Sequence, residues 1–191
     1  NGVPGWQKKG NTNAEYGIIA VSFEALAATA IELMDAGIRK ILLEKPAGLT
    51  TSEIHSVCEH AKKTDTRIFV GYNRRFYASV IEAKKLIESD RGVLSFNFEF
   101  TEWCDDIPKK LKHSTTGKNW FLANSSHVVD MAFYLGGDPQ EIHSWTAGGS
   151  EWHPTATVFA GAGVTNSGAL FSYQANWDAP GRWGVEILTC K

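Results

Sequence analysis

The sequence predicts an α/β fold in two parts. Residues 1–91 form a domain around a parallel sheet, and residues 92–191 form an α+β domain around a mostly antiparallel open sheet. Two observations predict it. Between residues 16 and 89, short apolar runs alternate three times with segments of helical period, which is the pattern of strands joined by right-handed helical crossovers. After Gly92 the helical grammar gives way to strict two-residue alternation, the mark of strands with one buried face.

The elements follow in order. Residues 1–15, NGVPGWQKKGNTNAE, carry neither period, are rich in Gly, Asn and Lys, and read as a loop or ragged end. YGIIAVS (16–22) suits a strand buried on both faces. In residues 23–36, Leu26, Ala30, Leu33 and Met34 fall at i, i+4, i+7 and i+8, one face of a helix, and Gly37 stands where a C-cap glycine belongs. KILLE (40–44) is a second buried strand. Thr50 and Glu53 form a capping box before a helix whose apolar face is Ile54, Val57, Cys58 and Ala61. RIFVGY (67–72) is a third buried strand, and Ser79 with Glu82 repeats the capping-box pattern before VIEAKKLIES (80–89).

In VLSFNFEFTEW (93–103), Leu94, Phe96, Phe98 and Phe100 lie on one side, and Ser95, Asn97, Glu99 and Thr101 on the other. ALFSYQANW (169–177) alternates in the same way, and WGVEILT (183–189) is a further strand. A helix over residues 125–135, closed by Gly136 and Gly137, lies among them.

Composition narrows the function. The hydrophobic fraction is 43%, enough for a packed core, and seven tryptophans argue against disorder. A formal net charge of −2 does not suit a nucleic-acid or anionic-membrane partner. No apolar run reaches the ~18 residues of a membrane span. Cys58, Cys104 and Cys190 are widely spaced and odd in number, which fits reduced thiols in the cytoplasm. Histidines 55, 60, 113, 143 and 153 share no ligand spacing, so no metal is expected.

Ligands of parallel sheets bind at the carboxyl ends of the strands. Those ends are residues 21–22, 44–46 and 72–75. Lys45 follows an apolar strand and precedes a proline that stiffens the backbone. An amine held there can donate to a substrate oxygen or shuttle its proton. It can equally be a solvated lysine paired with Glu44. In NSSHVVDMAFYLGG (124–137), Val128, Met131, Ala132 and Leu135 form the apolar stripe, while His127, Asp130 and Tyr134 share a neighbouring one. With Asn124 or Ser125 as N-cap, His127 falls in the first turn, where the helix dipole disfavours imidazolium and suits a general base. The alternative is a packed histidine bonded to Asp130. Arg74 and Arg75 can meet a cofactor phosphate or a substrate hydroxyl; for Arg75 plain surface charge is the better reading. GAGVTNSG (161–168) has no helix behind it and reads as a hairpin turn, and TTGKNW (115–120) lacks the upstream glycine of a phosphate loop.

Together these stretches resemble one family. IIAVSFEALAATAIELMDAGIRKILLEKPAGLT with FVGYNRRF, then WFLANSSHVVDMAFYLGG and SYQANWDAPGRWGVEI, look like the Gfo/Idh/MocA oxidoreductases, over roughly residues 14–191. The combination of the EKP triplet, GYNRRF and an H-x-x-D helix carries the resemblance. It implies the C-terminal half of a Rossmann-type nucleotide-binding domain, followed by an α+β substrate domain whose sheet often forms a homo-oligomer interface. It implies NAD or NADP as cofactor and a sugar, polyol or nucleotide sugar as substrate, with hydride transfer to or from a hydroxyl carbon. It makes Lys45, His127 and Asp130 the catalytic set, with the Lys45–Pro46 bond often cis. Ala20, Val21, Ser22, Glu44, Lys45, Pro46, Asn73 and Arg74 are then the residues near the cofactor.

Two departures stand out. The family usually has an aspartate four positions before the histidine, and here that position is Ala123. Some members bind NAD(P) and a partner protein without catalysis, and Ala123 favours that alternative. The glycine-rich dinucleotide fingerprint is also absent, so the chain reads as a fragment that starts at the family's fourth strand and stops inside the second sheet.

Overall fold

The computed structural model describes residues 2–8 and 14–191. Eight strands and seven α-helices are described, in two separate sheets. Packing divides the chain into two compact units, one up to Tyr72 and one from Asn73 onward.

The first unit holds a three-stranded parallel sheet of β1 (Tyr16–Ile19), β2 (Lys40–Leu43) and β3 (Arg67–Val70), in the order β1-β2-β3. The register runs Ile18–Leu42–Phe69 across the sheet. Three helices accompany it: α1 (Gly2–Lys8), α2 (Leu26–Asp35), which a short 3₁₀ turn at Phe23–Ala25 precedes, and α3 (Thr51–Lys63). Because successive strands step the same way with the same crossover hand, α2 and α3 lie on one face. That face holds the core of Ile19, Leu26, Ala30, Met34, Ile38, Ile41, Leu43 and Val57.

The opposite face corrects the expectation of strands buried on both sides. Ile18 is 76%, Leu42 46% and Phe69 64% exposed. An apolar run tells that both parities are apolar, not that both are covered. Residues 2–8 correct a second expectation, being a helix rather than a loop: Val3 is buried and Trp6 packs on the core, so tertiary contact overrides the weak local signal. Residues 1 and 9–13 of the expected loop lie outside the described residues.

The end signals act as the chemistry demands. At the C-terminus of α2, Gly37 has φ +92°, its N–H bonds Met34 O at 3.0 Å, and Ile38 N–H bonds Leu33 O at 3.1 Å. Those are the paired bonds of a Schellman motif, which glycine permits at low cost. At α3, Glu53 N–H donates to Thr50 Oγ1 (3.1 Å), and Glu53 Oε2 accepts from the Thr50 N–H (3.3 Å) and the Leu49 N–H (2.6 Å). Cys58, expected on the apolar face, is instead exposed.

The second unit begins with a 3₁₀ turn at Asn73–Phe76 and α4 (Ala78–Ser89). The N-cap of α4 is Tyr77, and no side chain caps it. Ser79 therefore sits inside the first turn, and Glu82 pairs with Lys85 at 3.0 Å instead of closing a capping box. Helix α4 packs on the second unit's own helix, so the packing boundary precedes the change in sequence pattern at residue 91 by one helix.

The second sheet contains β4 (Ser95–Phe100), β5 (Pro139–Ala147), β6 (Val158–Thr165), β7 (Leu170–Asn176) and β8 (Trp183–Leu188), in the order β5-β6-β7-β4-β8. Only the β4–β7 pair is parallel. The expected turn at 161–168 is shorter than the stretch suggested: residues up to Thr165 belong to β6, and the reversal to β7 follows. Two one-turn helices, α5 (Lys109–Lys112) and α6 (Thr115–Lys118), lead through a π-turn at Phe121–Ser125 into α7 (Ser126–Gly136).

Helix α7 covers one sheet face. Val128 and Ala132 pack on Phe96, Phe98, Phe100, Phe171 and Ala175. Phe133 meets Phe96, Phe98 and Phe171 edge-on, with centroids 5.9, 5.7 and 5.1 Å away, the arrangement aromatic quadrupoles favour. Among the described residues, no helix is long and apolar enough to cross a membrane.

Replacing Thr50 by Ala removes the oxygen that satisfies the Glu53 N–H. It is expected to lower stability by about 1 kcal/mol in urea unfolding, with Thr50→Ser restoring most of the loss.

Candidate functional site

In the first unit the three strand ends stand side by side. Glu44 N–H bonds Ile19 O at 2.9 Å and Gly71 N–H bonds Leu43 O at 2.8 Å, which extends the ladder one step past each strand. Ala20, Val21 and Ser22 leave β1 exposed. Ser22 is extended (φ −61°, ψ 154°), and its hydroxyl makes no capping bond to the turn that follows. Glu44 is exposed, while Lys45, Pro46 and Ala47 are buried. Lys45 is only 6% exposed, and its Nζ lies 5.7 Å from the centroid of the Phe23 ring. The Lys45–Pro46 peptide bond is cis. A solvated lysine is therefore the wrong picture: alkyl chain and amine are enclosed at the end of the middle strand. A Cβ at Gly71 would lie 3.0 Å from Glu44 Oε2, so the absence of a side chain there leaves that carboxylate its place.

In the second unit, Asn73 is exposed and Arg74 lies over Trp183, its Cζ 4.7 Å from the ring centroid. Arg75 is not the loose surface charge that its sequence suggests. Its Nε donates to Asp130 Oδ2 at 2.8 Å and its Nη2 to Asp130 Oδ1, a two-pronged clamp on a side chain 11% exposed. The same guanidinium lies 4.9 Å from the Tyr134 ring centroid, with Lys84 Nζ 4.6 Å from that ring. Asp130 thus spends both oxygens on Arg75, tying the turn before α4 to the middle of α7.

His127 is half-buried on α7, between buried Ser126 and Val128. Its expected place in a capped first turn is corrected. The π-turn at Phe121–Ser125 runs straight into α7, Ser125 is helical (φ −65°, ψ −23°), and no side chain caps the junction. Helical backbone upstream already engages the amides of this region, so the dipole argument for His127 lapses.

Sequence reasoning missed Glu102. It follows β4, and its Oε2 accepts from Trp120 Nε1 at 3.1 Å and from Asn124 Nδ2 at 2.5 Å. Burial holds its carboxyl above the usual glutamate range, outweighing those two bonds, with Asp106 adding repulsion. A signal was present. Glu102 continues the apolar register Phe96, Phe98, Phe100, so an acid appears where the pattern calls for another inward residue. The Ala123 position is itself buried, at 7% exposure.

Taken by fold, the chain is a mixed α/β protein of the kind found in NAD-binding oxidoreductases, and the resemblance to the Gfo/Idh/MocA group is borne out. No family model matches the chain. Myo-inositol 2-dehydrogenase of Thermotoga maritima is 29% identical over 103 residues, covering 54% of this chain and 30% of that protein. The rhizopine catabolism protein MocA of Rhizobium meliloti is 31% identical over 125 residues, covering 64% of this chain and 36% of that protein. The chain therefore spans about a third of the length of these curated relatives. Among solved structures, the WlbA dehydrogenase from Bordetella pertussis in complex with NADH and UDP-GlcNAcA aligns with a TM-score of 0.80 at 20% identity, over 95% of this chain and 59% of that one. A levoglucosan dehydrogenase in complex with NADH and levoglucosan gives 0.80 at 24%, over 97% and 55%.

The Arg75–Asp130 clamp is open to a double-mutant cycle. Arg75→Met, Asp130→Asn and the double variant should show a coupling energy on the order of 1–2 kcal/mol in chemical unfolding. Strict additivity would mean that the clamp holds nothing.

Proposed function

We propose that the protein carrying this chain is an NAD(P)-dependent oxidoreductase acting on the hydroxyl carbon of a sugar, polyol or nucleotide sugar. The observation that carries this reading is Lys45, an amine enclosed at the carboxyl end of the middle strand of a parallel sheet, where such sheets take their ligands. The relatives supply the chemical class: two solved relatives were crystallised with NADH and either a nucleotide sugar or an anhydro-sugar.

The residues present fit a nicotinamide. Ala20, Val21 and Ser22 offer compact side chains at an exposed strand end, the Ser22 hydroxyl making no capping bond, and Gly71 adds no bulk beside Glu44. Pro46 holds the chain that follows Lys45, and Asn73 and Arg74 follow the third strand end. When bound, the cofactor supplies the hydride acceptor or donor. Lys45 polarises the substrate oxygen and stabilises the charge that develops on it. His127 takes the hydroxyl proton in oxidation and returns it in reduction. Asp130, already clamped by Arg75, acts on substrate through the orientation it gives α7.

The three cysteines, none of them in a disulfide, fit a cytoplasmic setting. The sheet face away from α7 carries Trp145, Leu170 and Leu188, 64%, 63% and 47% exposed. It suits a homo-oligomer contact.

The test uses the full-length protein with NAD or NADP and a panel of sugars, polyols and nucleotide sugars, followed by absorbance of the reduced nicotinamide. Lys45→Ala should lower kcat at least ~100-fold, the scale of losing one preorganised donor, while dinucleotide binding stays close to wild type. Unchanged turnover in that variant removes the mechanism.

A further inference from the structure

The resemblance leaves one chemical gap, the carboxylate expected four residues before His127, where Ala123 stands. The second unit brings a different carboxylate to the neighbouring residue. Glu102 Oε2 receives the Asn124 amide at 2.5 Å and the Trp120 indole N–H at 3.1 Å. The indole is the fixed donor of the two. Asn124 lies in the π-turn, and Trp120 is buried at 7% and packed edge-on against Trp152, with centroids 6.3 Å apart.

We propose that Glu102 is a positioning residue whose ionisation sets which end of the Asn124 amide the site receives, three residues ahead of His127. This rests on the oxidoreductase reading of the preceding subsection.

The chemistry is a matter of donors and acceptors. An ionised carboxylate only accepts, so Asn124 must turn its NH₂ toward Glu102 and present its carbonyl oxygen elsewhere. A protonated carboxyl carries one O–H, which an amide oxygen can accept, and Asn124 is then free to turn round. The Trp120 indole is a donor only, so it favours the ionised form and cannot itself reverse. Burial works against ionisation, and so does Asp106, the charged group that acts on Glu102 from the turn after it. Lys112 lies on Trp152, 5.9 Å from its ring centroid, and not on Glu102. The balance places the switch above the ordinary glutamate pKa of about 4.3. Below the midpoint the amide is released, and above it the amide is fixed.

Two measurements test this, one of them independent of any activity. In ¹H–¹⁵N spectra, the Trp120 indole N–H and the Asn124 side-chain amide should titrate together, with a midpoint above the ordinary glutamate value. Both titrations should vanish in Glu102→Gln, whose amide oxygen still accepts a hydrogen bond but carries no ionisable proton. Titration at the ordinary value, or none at either group, overturns the proposal.

In the full-length enzyme assayed in the reducing direction, where His127 starts protonated and imposes no acid limb of its own, kcat should fall about tenfold per pH unit below that midpoint. Glu102→Gln should lose this acid limb and outrun wild type at low pH. Glu102→Leu should be slow at every pH, because it offers Trp120 and Asn124 no acceptor. A Glu102→Gln profile that superimposes on wild type overturns the proposal. If no sugar or cofactor supports turnover, the oxidoreductase reading fails, and the spectra still decide the state of Glu102.

Discussion

The second unit hangs on the contact between Gly136 and the ring of Phe96. A Cβ at Gly136 would lie 2.4 Å from a ring carbon of Phe96, closer than any real side chain allows. Only glycine lets the end of α7 settle onto β4, and that settling fixes the height of the helix over the sheet. The rest of α7 follows from it. Ala132 and Val128 fall onto the phenylalanine ladder one and two turns back, and Asp130 is presented to Arg75. The π-turn arrives beside Glu102. A helix held at its end by packing, at its middle by a charged clamp and at its start by a carboxylate has little freedom to slide, and His127 inherits that rigidity. Preorganisation of this kind is what proton transfer asks of its host.

The first unit solves a different problem, enclosing an amine at the end of its middle strand. Along β2 and past it, burial alternates: Ile41 in, Leu42 out, Leu43 in, Glu44 out, Lys45 in. Lys45 continues the covered parity of the sheet, so the pleat itself directs the side chain inward. Its sequence neighbour Glu44 points to the other side, toward the strand end at Gly71. The adjacent opposite charges in the EKP triplet are therefore two side chains sent to opposite faces by a period of two.

What was legible in the sequence divides along the same physics. Strand parity in β4 and β7, the Thr50–Glu53 box and the Gly37 cap depend on residues a few positions apart, and all could be read. The Ser79–Glu82 box could not be trusted because the preceding turn at Asn73–Phe76 decides where α4 begins, and that turn leaves Tyr77 as the extended residue. Helix α1 was illegible because its stability comes from Trp6 packing on the core and from the burial of Val3 rather than from propensity. Coverage of only one face of the first sheet was illegible because an apolar run reports composition and not neighbours. Of the candidate site, pattern singled out Lys45, His127 and Asp130, and the resemblance alone gave them catalytic roles. The partner of Asp130, 55 residues away, was at hand in GYNRRF and was assigned to solvent, since no spacing rule links a turn to a helix face that distant.

Glu102 shows why an acid missing from a motif need not be missing from a site. In a regular α-helix residues i and i+4 share a face, so an aspartate at position 123 would stand one turn from His127. Here the backbone from 121 to 125 is a π-turn, which carries one extra residue per turn and rotates what precedes it away from that alignment. Position 123 turns into the interior, where an unpartnered carboxylate would be costly, and alanine fills it. The rotation brings position 124 round to the end of β4. There Glu102 meets two donors that offset part of its desolvation. The substitution at 123, the π-turn and the acid at 102 are thus one structural solution. A change at any of the three alters the hydrogen-bonding face that the start of α7 presents.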